Sequence, residues 1–332
     1  MAILVTGIAG FIGFHVADAL AARGEQVIGI DDVNGYYSPA LKRARLVELD
    51  RRHGDRVRVI EADIAVEEGL SRVLAGIEVE RIVHLAAQAG VRHSIERPRA
   101  YVRANLAGHV EVLEFARERR TAQLVYASSS SVYGGNEAMP FRVEDAVDHP
   151  VSLYAATKRA DELMGESYAH LYRLPQTGLR FFTVYGPWGR PDMALWLFTD
   201  AILARRPIKL FNGGDMLRDF TYVDDVVAGV VAALDRPPAD DGTVKPGGSR
   251  GPHAIYNIGN HRPERLGRLV ELIEQACGVQ AIRELLPMQA GDVPATYADI
   301  APIARDLGFA PATGLAEGVP RFVDWYRGYT GA

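Results

Sequence analysis

The segment from Gly7 to Gly13, in "MAILVTGIAGFIGFHVADAL", limits the possible folds most. Glycines stand at 7, 10 and 13, after an apolar run and at the head of a run with helical spacing. In a strand–turn–helix unit each has its own duty. Gly7 permits a tight turn, Gly10 lets backbone approach a pyrophosphate, and Gly13 lets the helix pack closely on the sheet. The unpaired N–H groups at the helix start then face the phosphates. Glycines also end strands for plain folding reasons, so the motif counts only in context.

The context agrees. Apolar runs at 2–7, 26–32, 56–64, 81–87 and 123–129 are separated by helical stretches, among them 11–24 and about 105–119. This alternation predicts a parallel sheet covered on both faces. A helix is expected over about 152–172, and a sixth strand with a turn over 177–187. Further helices are expected at 192–206, 222–237 and about 263–277, with a Pro/Gly/Asp-rich surface loop at 236–253. The expected fold class is α/β: a Rossmann-type parallel sheet with helices on both faces and a smaller, irregular C-terminal part that binds substrate. Residues 1–180 are expected to be mainly the nucleotide-binding domain and 181–332 mainly the second part, with about 215–235 returning to the first.

Composition excludes several classes. With 48% hydrophobic and 24% charged residues the chain is globular rather than disordered. The net charge is -5 and no lysine–arginine block stands out, so no nucleic-acid partner is expected. The one cysteine, Cys277, rules out a disulfide framework and a thiolate metal site; no metal and a cytoplasmic location are expected. The N-terminal run lacks a basic leader and is broken by glycines, so it reads as a buried strand, not a signal peptide. No apolar run is long enough to span a membrane.

The second strand ends in Asp31, eighteen residues past Gly13. A carboxylate there accepts hydrogen bonds from a ribose diol and repels a 2′-phosphate, which favours NAD over NADP. Asp32 reads as solvated or capping. Asp63 has two equal readings: it holds adenine through neighbouring backbone, or it caps the following helix. His84, inside a strand, reads as a satisfied core group.

"SLYAATKRADEL" sets Tyr154 and Lys158 four apart, on one helix face. An ammonium beside a phenol favours the deprotonated form, which takes a proton from an alcohol. Alone, this spacing is common by chance. "ASSSSVYGG" (127–135) adds hydroxyls at the carboxyl edge of the fifth strand, where such sheets bind ligands.

Together these motifs resemble the extended branch of the short-chain dehydrogenase/reductase family, and within it the nucleotide-sugar epimerases and dehydratases, over nearly the whole chain. The resemblance implies NAD on Gly7, Gly10, Phe11, Ile12 and Gly13, with Asp31 on the adenosine ribose. It implies that Asp63, Ile64, Leu85, Ala86 and Ala87 line the same cofactor. Tyr154 is then the base, and Lys158 binds the nicotinamide ribose. Counting back from "VYG", the catalytic hydroxyl falls on Ser129, with Ser130 its nearest rival and Ser128 beside them on the substrate. "QAGVRHS" resembles the loop around sugar and phosphate, which brings in Arg92. "RDFTYVDD" resembles the segment whose arginine, Arg218, contacts the diphosphate; a surface pair with Asp215 or Asp219 is the plain alternative.

"FFTVYGPWGRPDM" and "YYSPALKRARL" resemble the UDP-glucuronate 4-epimerase group, since galactose-type enzymes usually carry asparagine where Thr183 stands. The implied reaction is reversible C4 epimerisation of UDP-glucuronate to UDP-galacturonate through a 4-keto sugar, with tightly bound NAD. Thr183 and the serines would give the uronate neutral hydrogen bonds, and Arg190 would bind the diphosphate or the uridine ribose. The alternatives are a decarboxylase forming a UDP-pentose, a neutral-hexose 4-epimerase, a 4,6-dehydratase and a non-catalytic nucleotide-binding protein. Ser130 and Ser131 replace the acidic pair that dehydratases carry. Family members commonly dimerise through two helices, here about 105–119 and 152–172, so a homodimer is expected.

Overall fold

The computed structural model describes residues 1–287 and 295–332. Along the chain come β1 (Ala2–Thr6), α1 (Phe11–Ala22), β2 (Val27–Asp31), α2 (Pro39–His53), β3 (Val57–Glu61), α3 (Gly69–Val73), β4 (Val79–His84), α4 (Val91–Glu96), α5 (Pro98–Tyr101), α6 (Gly108–Arg119) and β5 (Gln123–Ser129). There follow α7 (Leu153–Tyr172), β6 (Gln176–Phe181), β7 (Thr183–Tyr185), α8 (Ala194–Leu203), β8 (Ile208–Phe211), β9 (Leu217–Arg218), β10 (Phe220–Tyr222) and α9 (Val223–Asp235). Last are β11 (His253–Ile258), β12 (Glu264–Arg265), α10 (Leu266–Cys277), β13 (Arg283–Leu286), α11 (Ala301–Leu307) and α12 (Leu315–Thr330).

Strands β1, β2, β6 and β11 are buried at every residue, which only a sheet covered on both faces allows. Seven strands pair in the order β11–β6–β5–β4–β1–β2–β3, all parallel. From β1 the chain winds one way through β2 and β3, then crosses to the other side at β4. Ligand crevices open where such winding reverses, here at the carboxyl ends of β1 and β4. Val223, Val226 and Val230 of α9, Ala254 and Ile258 of β11, and Ile303 and Leu307 of α11 share one core with β1 and α1. A second core joins α8, α10 and α12 through Phe198, Ile202, Leu269, Ile273 and Phe322.

Some boundaries differ from expectation. The 177–187 run is two strands in two sheets: β6 lies in the main sheet, while β7 pairs with β10. The break falls where Phe182 N bonds to Ile258 O and Thr183 N bonds to Asp219 O. The third and fourth strands stop at 61 and 84, short of the expected 64 and 87. Leu85 N and Ala86 N instead bond to the backbone oxygen and hydroxyl of Thr6, which frees the chain to line the crevice. Helix α2 had no counterpart in the sequence reading. Two of its four buried residues are Lys42 and Arg45, so its apolar period is broken. Helix α6 begins at 108, preceded by π-helical turns at Val102–Ala107. Among the described residues no helix is long and apolar enough to cross a membrane.

Candidate active site

The turn after β1 leaves no room for a side chain at Gly7 or Gly13. Gly7 has φ +74°, and a Cβ there would lie 2.7 Å from Ala86 N. A Cβ on Gly13 would meet Gly7 O at 2.1 Å. Helix α1 then starts at Phe11 without a side-chain cap, so its first N–H groups suit a phosphate. Asp31 closes β2 beside this turn. Its carboxylate accepts from Ala9 N at 3.1 Å and Val33 N at 2.9 Å, with Lys42 Nζ 3.8 Å away. Burial pushes the Asp31 pKa up, and the Lys42 ammonium opposes that shift. The residues present therefore fit a dinucleotide: a cradle for the pyrophosphate and an acceptor for the ribose.

Asp32 caps Asn34, as expected. Asp63 lines the crevice, but its carboxylate accepts from Ala65 N at 2.8 Å and pairs with Arg103 at 2.6 Å. His84 is a buried core group 2.7 Å from the Thr6 hydroxyl, and burial holds its pKa well down.

Across the crevice, the Ser152 hydroxyl accepts from Ala155 N at 3.1 Å and caps α7. This fixes Tyr154 in the first turn and Lys158 one turn on. Lys158 is buried; its Nζ donates to Ala127 O at 2.9 Å and to Asp161 at 3.0 Å. Tyr154 is half-buried, with its ring edge-on to Tyr101 at 6.0 Å. The Ser128 hydroxyl donates to buried Glu162 at 2.6 Å. Glu162 also holds Arg180, at 2.8 and 3.0 Å. Burial alone would raise the Glu162 pKa, but Arg180 reverses this and leaves it lowered. Ser129, on the opposite side of the strand, contacts Ser131 at 3.1 Å and also borders the crevice.

One cleft therefore gathers Gly7, Gly10, Phe11, Ile12, Gly13, Asp31, Asp63, Ile64, Leu85, Ala86, Ala87, Ser128, Ser129, Tyr154, Lys158 and Arg190. It encloses about 1380 Å³ of empty space, open solvent included. Four expected residues lie outside its lining. Ser130 stands at the head of a 3₁₀ turn. Thr183 lines a smaller adjoining pocket that shares Phe11, Val184, Arg190 and Met193 with the cleft. Arg92 stacks on Phe211 at 5.5 Å. Arg218 donates to Leu217 O at 2.9 Å and lies 3.5 Å from Met216 Sδ. Asp219 does not lie at the surface: its buried carboxylate accepts from Asn260 N, His261 N and Ala298 N.

Sequence reasoning missed Lys42, Tyr36, Asp161 and Glu162. Tyr36 donates to Ala89 O at 2.6 Å and accepts from Arg190 at 3.2 Å, which ties three loops together over the cleft. Burial raises its pKa to about 12. The signal for Asp161 and Glu162 was faint, because carboxylates inside a helix usually face water.

A glycine cradle facing a tyrosine–lysine pair defines a nucleotide-dependent enzyme acting on an alcohol, and residues 3–259 place the chain in the NAD dependent epimerase/dehydratase family. A probable UDP-glucuronate 4-epimerase of Rhizobium meliloti (strain 1021) is 47% identical over 98% of this chain and 97% of its own length. Protein CapI of Staphylococcus aureus is 48% identical over 99% of both chains. The crystal structure of UDP-glucuronic acid 4-epimerase from Bacillus cereus, in complex with UDP-glucuronic acid and NAD, is similar with a TM-score of 0.88. It shares 31% identity and is matched over 99% of this chain and 100% of its own.

Proposed function

We propose that this chain is a UDP-glucuronate 4-epimerase that interconverts UDP-glucuronate and UDP-galacturonate. The observation that carries this reading is the single cleft that joins the Gly7–Gly13 turn to Ser129, Tyr154 and Lys158. Relatives with that activity in their names, matched over 98% of this chain, support it. NAD, when bound, accepts the C4 hydride and returns it. Gly7, Gly10 and Gly13 would hold its pyrophosphate, and Asp31, assisted by Lys42, its adenosine ribose. Tyr154 takes the proton of the C4 hydroxyl, and Ser129 bridges that hydroxyl to the phenol. Lys158, fixed by Ala127 O and Asp161, keeps a positive charge near Tyr154. The 4-keto sugar turns about its link to the diphosphate and offers its other face. Tyr154 then returns the proton, and C4 is inverted.

The 4-keto uronate is a β-keto acid and loses CO2 when its carboxylate bond aligns with the carbonyl. We place Thr183 against that carboxylate, in the pocket adjoining the cleft. Thr183→Ala is expected to raise the ratio of UDP-pentose to C4 epimer several-fold, on the order of 1 kcal/mol for one hydrogen bond. An unchanged product ratio would remove Thr183 from this role.

The test of the function is incubation with UDP-glucuronate without added NAD, followed by separation of the products. UDP-galacturonate is expected. CO2 with a UDP-pentose would make the chain a decarboxylase. Tight NAD binding without turnover would make it a non-catalytic binding protein.

We further propose a homodimer built on α6 and α7. Leu163 and Leu171 are exposed on α7, and Val102 is exposed in the π-helical turns that lead into α6, apolar surface of the kind an interface covers. Light scattering on the purified chain is expected to give twice its 36.3 kDa mass; a single-chain mass would refute it. The buried, free Cys277 suits a reducing cytoplasm, where we place the reaction. We assign residues 1–180, with 215–235 and β11, to the NAD-binding domain, and most of the remainder to the nucleotide sugar. Limited proteolysis that separates those bodies elsewhere would refute the division.

A further inference from the structure

A buried cation without a carboxylate partner is costly, so one that persists has a task. Arg45 has no exposed surface, and among the described residues it makes no ion pair. All five of its donors are nonetheless used. Nη1 donates to Ala9 O, inside the glycine turn, and to the Tyr37 hydroxyl, both at 2.8 Å. Nε and Nη2 donate to Trp188 O at 3.2 and 2.6 Å, and Nη2 also to Gly189 O at 3.2 Å. One turn after Phe11, His15 Nε2 lies 2.9 Å from Pro187 O. A carbonyl only accepts, so Nε2 carries the proton; burial keeps the ring neutral, with its pKa lowered to about 4.

Three successive carbonyls, at 187, 188 and 189, are thus held by two side chains from the helices around the cofactor cradle. The turn they hold is not one the chain adopts freely. Trp188 has φ +59°, a conformation that costs a bulky residue energy and persists only when its surroundings fix it. Its ring is wedged between Phe14 at 5.3 Å and Trp325 at 5.2 Å. The next side chain but one is Arg190, which lines the cleft.

We infer that Arg45 and His15 are positioning residues that set Arg190, so that an ordered glycine turn and a firm grip on the nucleotide diphosphate come together. The inference rests on the proposed function only in taking Arg190 as a diphosphate ligand. It also joins two segments that the sequence reading could only place side by side. "YYSPALKRARL" supplies the cation, and "TVYGPWGRPDM" supplies the carbonyls that it binds.

The experiment uses UDP, which carries the diphosphate without the sugar, and the full chain saturated with NAD. Calorimetry gives the UDP affinity of the wild type, Arg45→Lys, Arg190→Gln and the double variant. Lysine keeps the charge but cannot reach three carbonyls at once. Arg45→Lys is expected to weaken UDP about tenfold, and to cost less than about twofold when Arg190→Gln is already present. Independent, multiplying losses would overturn the coupling. So would an Arg45→Lys variant that loses NAD but keeps its UDP affinity, since Arg45 would then serve the glycine turn alone. If Arg45→Lys does not fold, His15→Leu takes its place. It is expected to weaken UDP about threefold and to shift the emission of the ring cluster around Trp188. No change in either quantity overturns the inference. Wild-type protein that fails to bind UDP would overturn the function itself, and the coupling with it.

Discussion

Tyr154→Phe is expected to lower kcat about 10³-fold, the middle of the range for a positioned acid–base group. The loss is one of chemistry and not of binding. Tyr154 is half-buried on the capped first turn of α7, and phenylalanine keeps the ring that meets Tyr101 edge-on. KM for UDP-glucuronate and the bound NAD content are therefore expected to stay within about threefold, since only an interaction of the transition state has been removed. Steady-state kinetics with a measurement of bound nucleotide checks this. A kcat within tenfold of wild type would assign the proton to another group, with Ser129 the first to examine.

The second large effect concerns stability. Glu162→Ala is expected to cost about 3–5 kcal/mol, because it strands the Arg180 guanidinium in the core. Both side chains are almost without exposed surface, and they meet through two hydrogen bonds at 2.8 and 3.0 Å. Of a total stability of roughly 5–15 kcal/mol this is a large share. The thermal midpoint should fall by roughly 4–7 °C. Replacing both partners with apolar residues, as in Glu162→Leu with Arg180→Met, is expected to cost less than the single change. The double removes the stranded charge as well as the pair. Thermal denaturation of the three proteins decides it; a single variant that loses less than about 1 kcal/mol would show that the pair is not structural. There is an acid consequence as well. The Glu162 pKa is lowered in the fold, so its contribution is complete above the ordinary glutamate value and is lost as pH falls through the lowered one.

The pair also explains the serines. Ser128 and Ser129 both border the cleft, but the Ser128 hydroxyl is engaged by Glu162, and this is why we assign the proposed catalytic hydroxyl to Ser129, on the opposite side of β5. Four serines in sequence gave no means of choosing between Ser129 and Ser130. The partner that engages Ser128 is Glu162, thirty-four positions away.

That contrast describes what was legible in the sequence generally. The Gly7–Gly13 turn, Asp31 and the Tyr154–Lys158 spacing depend on neighbours within one strand–turn–helix unit or one helix turn, and they were readable. So was the order of the strands through β5. Placements that depend on distant segments were not. Thr183 proved to adjoin the cleft, and Arg92 and Arg218 to lie against Phe211 and Met216. Helix α2 was hidden because it buries cations, and one of them, Arg45, serves carbonyls that lie 143 and 144 residues further on. The break between β6 and β7 was hidden too, since it is made by partners from β11 and from the segment before β10.

The central claim is that one hydrogen leaves C4 of the sugar and returns to the same carbon without meeting solvent. UDP-glucuronate deuterated at C4 tests it directly, with the purified chain in ordinary water and no added NAD. UDP-galacturonate that keeps the deuterium at C4 is the expected product. Epimer that has lost the label to solvent would contradict the claim, because C4 would then be inverted by proton exchange and not by a hydride held within the site.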